Sequence, residues 1–263
     1  MPTKQVNNLE IYYELHGSGE PLVLISGFTE DNSSWEVVID RFAERFQVLV
    51  FDNRGAGRTN TPNEPFTVKD MAQDTISLMK ALDISKAHVL GHSMGGAIAQ
   101  EMALIKPECV DRLVLASTSA CFDTLAMFVI NVGEKLVDTG APFEVLLENA
   151  FPWLFSASFL TDKENVAKAM KRKLENPYPQ TLEGYKNQIK ACSQHETLER
   201  VAKISSPTLV LTTEKDLLVS PDDSRVLAER IPEASLKILP KMGHMLQFEN
   251  PALFCDEVTS FLL

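Results

Sequence analysis

Gly91-His92-Ser93-Met94-Gly95, followed by Gly96, stands where an apolar run (Ala87 to Gly91, AHVLG) gives way to a helix-like stretch, AIAQEMALI. This is the G-x-S-x-G pattern in the strand–turn–helix setting that gives it meaning. A serine on a tight, strained turn is pushed above the strand ends, where its oxygen can attack an electrophile. The chain two residues to either side must pass close by, and a β-carbon there would clash. The helix beginning at the turn places the positive end of its dipole beside the serine. The Met94 N–H aims at the point where an attacked carbonyl would gather negative charge. A glycine-rich turn with a chance serine is the plain alternative, and the flanking strand and helix argue against it.

A serine hydroxyl is a weak nucleophile at neutral pH and needs a base. The five histidines are His16, His88, His92, His195 and His244. His244 follows the last apolar run in Leu239-Pro240-Lys241-Met242-Gly243-His244. It therefore hangs at the carboxyl edge of the sheet, where reacting loops collect. His92 adjoins the serine but should point elsewhere and reads as structural. His16 sits in a hairpin turn and His88 at a strand start. His195 lies in a helical stretch between two strands; it is expected to be exposed, with a place in the pocket lining as the alternative. The base needs a carboxylate to fix its tautomer and stabilise its charged form. Asp216, reached from PTLVLTT through Glu214-Lys215, can approach the His244 loop from the neighbouring strand. Asp123 is the backup acid and Glu214 a weaker one. The expectation is one continuous hydrogen-bonded row of Ser93, His244 and Asp216.

Alternating elements must hold these residues. Leu9 to Leu15 reads as a first strand, closed by the turn His16-Gly17-Ser18-Gly19. Pro21 to Ser26, Phe46 to Phe51, Ala87 to Gly91, Arg112 to Ala116, Pro207 to Thr213 and Ser235 to Leu239 are short apolar runs. Runs apolar on both faces suit a parallel sheet covered on both sides. Between them, Trp35, Val38, Ile39 and Phe42 make one helical stripe. Met71, Thr75, Leu78, Met79 and Leu82 make a second, and Ala97, Ile98, Met102 and Ile105 a third. Pro221 and Pro251 each open a helix, the position proline favours. The pattern predicts an α/β fold with right-handed crossovers.

The alternation breaks between Ser119 and Ala202. That stretch has no convincing strand and many large apolar side chains, among them Phe122, Phe128, Phe143, Phe151, Trp153 and Phe155. The predicted organisation is a core of residues 1–118 and 203–263 with a helical cap of 119–202 inserted as a lid. Most of the cap's apolar side chains are expected to form its own core rather than to touch a substrate.

Composition bounds the partners. A net charge of -11 should repel phosphate backbones and anionic lipid, so nucleic acid is excluded as a partner. The four cysteines are scattered with no C-x-x-C pair, which points to free thiols rather than a metal site. The opening MPTKQVNNLE has no apolar leader, and no apolar run is long enough to cross a bilayer. A cytoplasmic protein with a small-molecule substrate is expected.

The chain resembles the α/β-hydrolase superfamily from about Leu22 to Ser117 and from Pro207 to the C-terminus. It is most similar to the esterase, enol-lactonase and cofactor-free bromoperoxidase branch. Beyond the elbow the resemblance rests on Gly27-Phe28 with Trp35 downstream, Asp52-Asn53-Arg54-Gly55-Ala56-Gly57, Asp216 with Pro221, and Gly243-His244. It implies a mostly parallel sheet, hydrolysis of an ester or lactone, no metal or organic cofactor, and the Phe28 N–H as second oxyanion donor beside Met94. The family pattern has histidine before Gly27, where this chain has Ser26. Asp52 and Arg54 read as a structural ion pair bracing their loop, and Trp35 as a packing residue. The aspartate that dehalogenases and epoxide hydrolases carry at the elbow is absent. Carbon–carbon bond hydrolases, perhydrolases, acyltransferases and slow-turnover receptors share the serine and stay open.

Overall fold

The structure, a computed structural model, describes residues 2–122 and 124–263. Its eight-stranded sheet begins with a hairpin, β1 (Thr3–Val6) and β2 (Leu9–His16), turning through Asn7 and Asn8 at φ 48° and 64°. Two consecutive positive φ angles make the turn that matches strand twist, and asparagine tolerates them. The sequence reading found β2 and missed β1. Thr3–Val6 is too short and polar to register, and the Asn-Asn pair was its only signal.

The remaining strands are β3 (Glu20–Ile25), β4 (Phe46–Phe51), β5 (Ala87–His92), β6 (Val110–Ala116), β7 (Thr208–Thr213) and β8 (Ala234–Leu239). They lie in the order β1-β2-β4-β3-β5-β6-β7-β8. The pairs β1–β2 and β2–β4 are antiparallel, and all others are parallel. From β3 the chain steps outward to β4, then returns to place β5 on the other side of β3. The loops leaving β3 and β5 thus diverge and open a crevice between them, the position where α/β sheets bind ligands.

Period-two alternation gives each central strand two buried faces. Val23, Ile25, Leu49 and Phe51 point to one apolar core, which α2 (Val68–Ala81) and α3 (Met94–Ile105) cover. Leu22, Leu24, Val48 and Val50 point to the other, which includes Trp35, Phe42 and Phe254. The stripe Trp35, Val38, Ile39 and Phe42 is buried as expected, but not on one helix. A 3₁₀ turn over Asn32–Trp35 and the short α1 (Ile39–Ala43) share it. Between β6 and β7 run α4 (Thr124–Asp138), α5 (Phe143–Leu154), α6 (Ala157–Thr161), α7 (Lys163–Leu174) and α8 (Leu182–Ser193). An isolated bridge between Cys121 and Glu196, with the Thr197 N–H donating to the Ala120 carbonyl at 2.8 Å, closes the base of this insertion. The chain ends with α9 (Pro221–Arg230), α10 (Leu246–Glu249) and α11 (Pro251–Leu262).

The charged loop after β4 is structural, but its pairing differs from the expectation. Asp52 is fully buried and accepts from Arg58 Nε at 3.0 Å and from the Asn32 and Arg58 N–H groups, each at 2.8 Å. Arg54 turns the other way and grips Asp74 of α2 through two bonds, Nε–Oδ2 at 2.5 Å and Nη2–Oδ1 at 2.8 Å. The sequence carried a signal for this. Asp74 stands inside the apolar stripe of α2, and a charge on a buried helix face needs a partner. Removing one member of such a pair strands the other, whereas removing both does not. Asp74→Ala should therefore cost about 3 kcal/mol in urea unfolding. The double variant Asp74→Leu with Arg54→Met should lie closer to the wild type than Asp74→Ala alone.

Candidate active site

Ser93 joins β5 to α3 at φ 55°, ψ -121°, a left-handed conformation that costs a non-glycine residue roughly 1–3 kcal/mol. Backbone packing holds it there. The Ser93 N–H donates to the Ala116 carbonyl at 2.9 Å, and its own carbonyl accepts from Thr118 Oγ1 at 2.8 Å. The flanking glycines have no room for a side chain. A β-carbon on Gly91 would fall 2.1 Å from the Gly95 carbonyl oxygen, and one on Gly95 would fall 2.0 Å from that of Ile25. Ser93 faces a cavity of about 450 Å³ roofed by the insertion.

His244 and Asp216 meet beside it. His244 Nδ1 lies 2.9 Å from Asp216 Oδ2, and neither side chain is more than 2% exposed. The other carboxylate oxygen accepts the N–H groups of Leu218 at 3.0 Å and Val219 at 2.9 Å, so the loop after β7 fixes the carboxylate. The His244 loop is fixed in turn. Its carbonyl accepts from His92 Nε2 at 2.9 Å, and the Gly243 carbonyl accepts from Thr213 Oγ1 at 2.9 Å. That bond requires the proton on His92 Nε2. Burial, reinforced by the neighbouring His244, pushes the His92 pKa down to about 4 and keeps its ring neutral. The expected row is made on one side only, because Ser93 Oγ forms no hydrogen bond with the His244 ring. The ring is held by its partners, while the serine oxygen turns about a single χ1 bond. Glu214 faces away: it pairs with Lys215 and accepts the Lys241 N–H at 3.2 Å. Asp123 lies outside the described residues.

The N–H groups of Phe28 and Met94 donate to no group among the described residues and sit at the same cavity. Ser26, standing where the related pattern has histidine, anchors the first of these loops. Its hydroxyl donates to the Asp31 carbonyl at 3.0 Å and lies 2.9 Å from Ser34 Oγ, while its carbonyl accepts from Asn53 Nδ2 at 2.9 Å. Beyond Phe28 the insertion takes over. The Thr29 N–H, at a residue with φ 63°, donates to Gln188 Oε1 of α8 at 3.1 Å. Glu30 is buried against Lys173 and Arg172 of α7, and Asn176 Nδ2 donates to Asp31 Oδ2 at 2.8 Å. Burial alone would raise the Glu30 pKa, but the two cations outweigh it and hold the carboxyl below its usual range. Gln188, Lys173 and Asn176 were invisible in the sequence, since nothing in a helical stretch reveals which distant loop its polar residues reach.

The insertion's large apolar side chains were expected to pack mostly on each other, and Leu147, Phe151 and Phe155 do so in a cluster with Met245; these three, with Phe122, Phe143 and Trp153, also line the cavity. Helices packed around a hollow present to it the same apolar face that a solid core would fill. His195 was expected to be exposed, and it is 6% exposed at the closed base of the insertion, beside Phe122. Burial pushes its pKa down to about 4.

Comparison with known proteins agrees with the fold. The model of the alpha/beta hydrolase fold family matches residues 20–251. A protein named carbamate hydrolase RutD, from Caulobacter sp. strain K31, is 32% identical over 96% of this chain and 95% of its own. A protein of Mycobacterium tuberculosis H37Rv named non-heme bromoperoxidase BpoC is 30% identical over 92% of this chain and 94% of its own. The crystal structure of the enol-lactonase from Burkholderia xenovorans LB400 superposes with a TM-score of 0.90 at 27% identity, covering 99% of both chains.

Buried neutral histidines give stability a definite pH dependence. The unfolded chain takes up protons near pH 6.5, the folded chain only near pH 4, so stability falls as pH drops through that window. His195→Phe removes one such group. The stability lost between pH 7 and pH 5, measured by urea unfolding, should shrink by about 2 kcal/mol in this variant relative to the wild type.

Proposed function

The chain belongs to the alpha/beta hydrolase fold family, and from that premise we propose that it hydrolyses a carboxylic ester or lactone through an acyl-enzyme on Ser93. The observation that carries the reading is the buried His244–Asp216 pair, 2.9 Å apart, facing the cavity that also holds Ser93. With Nδ1–H donating to Asp216, Nε2 is the basic nitrogen. Ser93 Oγ turns toward it, gives up its proton and attacks the acyl carbon. Hydrogen bonds of this kind are commonly long in the empty enzyme and tighten around the substrate. The carbonyl oxygen gains negative charge and is held by the N–H groups of Phe28 and Met94, each worth about 3–4 kcal/mol in the transition state. The proton on Nε2 passes to the leaving alcohol, releasing it and leaving the acyl group on Ser93. Water then enters, loses a proton to Nε2 and attacks the acyl carbon. Collapse of the second tetrahedral state frees the acid and returns the proton to Ser93.

The insertion acts as a lid in this reading. It covers the serine, and through Gln188, Lys173 and Asn176 it holds the loop that carries the Phe28 N–H. A carbamate, the substrate in the Caulobacter relative's name, presents the same kind of acyl carbon to Ser93.

Ser93→Ala should lower turnover of an activated aryl ester by roughly 10⁴–10⁶-fold, by analogy with measured serine-triad series. Labelling by a fluorophosphonate should disappear with it. An unchanged rate would remove the serine mechanism. Gln188→Ala should lower kcat by about tenfold while leaving KM within a factor of two or so, since the donor it steadies acts mainly in the transition state.

A further inference from the structure

Resting on the serine-hydrolase reading, we propose that the acyl group this enzyme accepts is a long, unbranched alkyl chain laid along α4. That helix presents Ala126, Val129, Ile130, Gly133 and Val137 to the cavity. Their spacing of three, four, seven and eleven residues marks one continuous helix face. All are apolar, and at 1.5 Å rise per residue the face runs for about 16 Å. An all-trans alkyl chain advances about 1.3 Å per carbon, so roughly twelve to fourteen carbons have that length.

One end of the face belongs to the reacting centre. Helix α4 leaves the end of β6, whose Ala116 accepts the Ser93 N–H, and Phe122 and Ala126 line the cavity with Ser93. On the opposite wall the Phe28 ring lies 5.2 Å from the Tyr185 ring of α8. The Tyr185 hydroxyl in turn sits where a β-carbon on Gly133 would be, 2.6 Å away. Tyr185 therefore packs directly on α4 at Gly133, and the cavity narrows where it passes beside this contact toward Val137. The far end reaches Phe143 and Leu182, which are 45% and 52% exposed and form an apolar mouth. The charged lining residues Glu30, Arg172 and Lys173 pair with one another near α7. The residues that α4 itself gives to the cavity are all apolar and offer no partner for a charged chain, and the narrowing beside Tyr185 disfavours a branched one.

The proposal is tested with a series of p-nitrophenyl esters from acetate to hexadecanoate. Burial of each methylene should raise kcat/KM by about three- to fourfold, up to a chain of about twelve to fourteen carbons. A profile that is flat, or that peaks at two to four carbons, overturns it. Gly133→Leu fills the constriction and should lower the ratio of dodecanoate-ester to butyrate-ester kcat/KM at least tenfold. Val137→Trp should trim only the longest chains. A ratio is independent of the folded fraction, and leucine suits a helix interior better than glycine. An unchanged ratio in both variants overturns the channel. Binding is read separately on Ser93→Ala by calorimetry with dodecanoate and hexanoate, where dodecanoate should bind at least tenfold tighter. Equal binding overturns the proposal without reference to turnover. If short esters are cleaved through Ser93 with no rise along the series, the channel fails and the serine reading stands. If the wild type resists fluorophosphonate and cleaves no ester, the serine reading fails, and the calorimetry alone decides whether the channel takes an alkyl chain.

Discussion

The site depends on a backbone turn that has no space to relax. Ser93 occupies a left-handed conformation because β5 must reverse into α3 within about one residue, with Gly91, Gly95 and Gly96 packed against neighbouring backbone and side chains. A local cost of roughly 1–3 kcal/mol is held by a sheet that cannot move without losing its ladder. Gly27 belongs to the same constraint from the other strand, since a β-carbon there would lie 3.2 Å from the Ser93 β-carbon. The loops after β3 and β5 are thus fitted to each other at the point where the strand order reverses. The elbow is a property of two strands rather than one motif.

Around this turn the holding is divided. The proposed base and acid belong to the core: Asp216 is fixed by two backbone N–H groups, and the His244 loop by His92 and Thr213. These bonds lie inside a water-poor interior, where electrostatic interactions are strong and a wrong partner costs most. The loop bearing Phe28 is held from two sides. Ser26 ties its start to the core, while Thr29, Glu30 and Asp31 are each tied to the insertion. A displacement of α7 and α8 would therefore reach the proposed oxyanion donor while leaving the His244–Asp216 pair in place.

How much of this was legible follows from the range of the interactions involved. The parallel strands β3 to β7 could be read because each is a short run apolar on both faces, a local pattern that burial between two helical layers imposes, whereas β8 alternates apolar residues with the exposed Ser235 and Lys237. The neighbourhood of Ser93, Asp216 and His244 was legible because all three follow predicted strands, and parallel strands end at one edge. The short antiparallel β1 was not, since its stability comes from its partner and an Asn-Asn turn rather than its own composition. Arg54 was paired with the wrong aspartate because spacing along a glycine-containing loop says little about direction. The burial of His195 and the grip of Gln188 arise between segments more than seventy residues apart, with no local period to betray them.

The insertion shows why such residues escape a local reading. Its helices obey the ordinary apolar periodicity, and nothing in that pattern separates a face packed against protein from one packed against a cavity. The difference lies in volume: at Gly133 the missing side chain lets Tyr185 and Leu146 of the facing helices pack onto α4, while Ala126, Val129, Ile130 and Val137 of the same helix line the cavity. A core strives for dense packing, and a cavity under helices of ordinary apolar periodicity is a place where density has been withheld. The chemistry of the site is thus written in the sheet, whose strands tolerate little change. In the proposed reading its selectivity rests on side-chain sizes along a helix, away from the turn at Ser93.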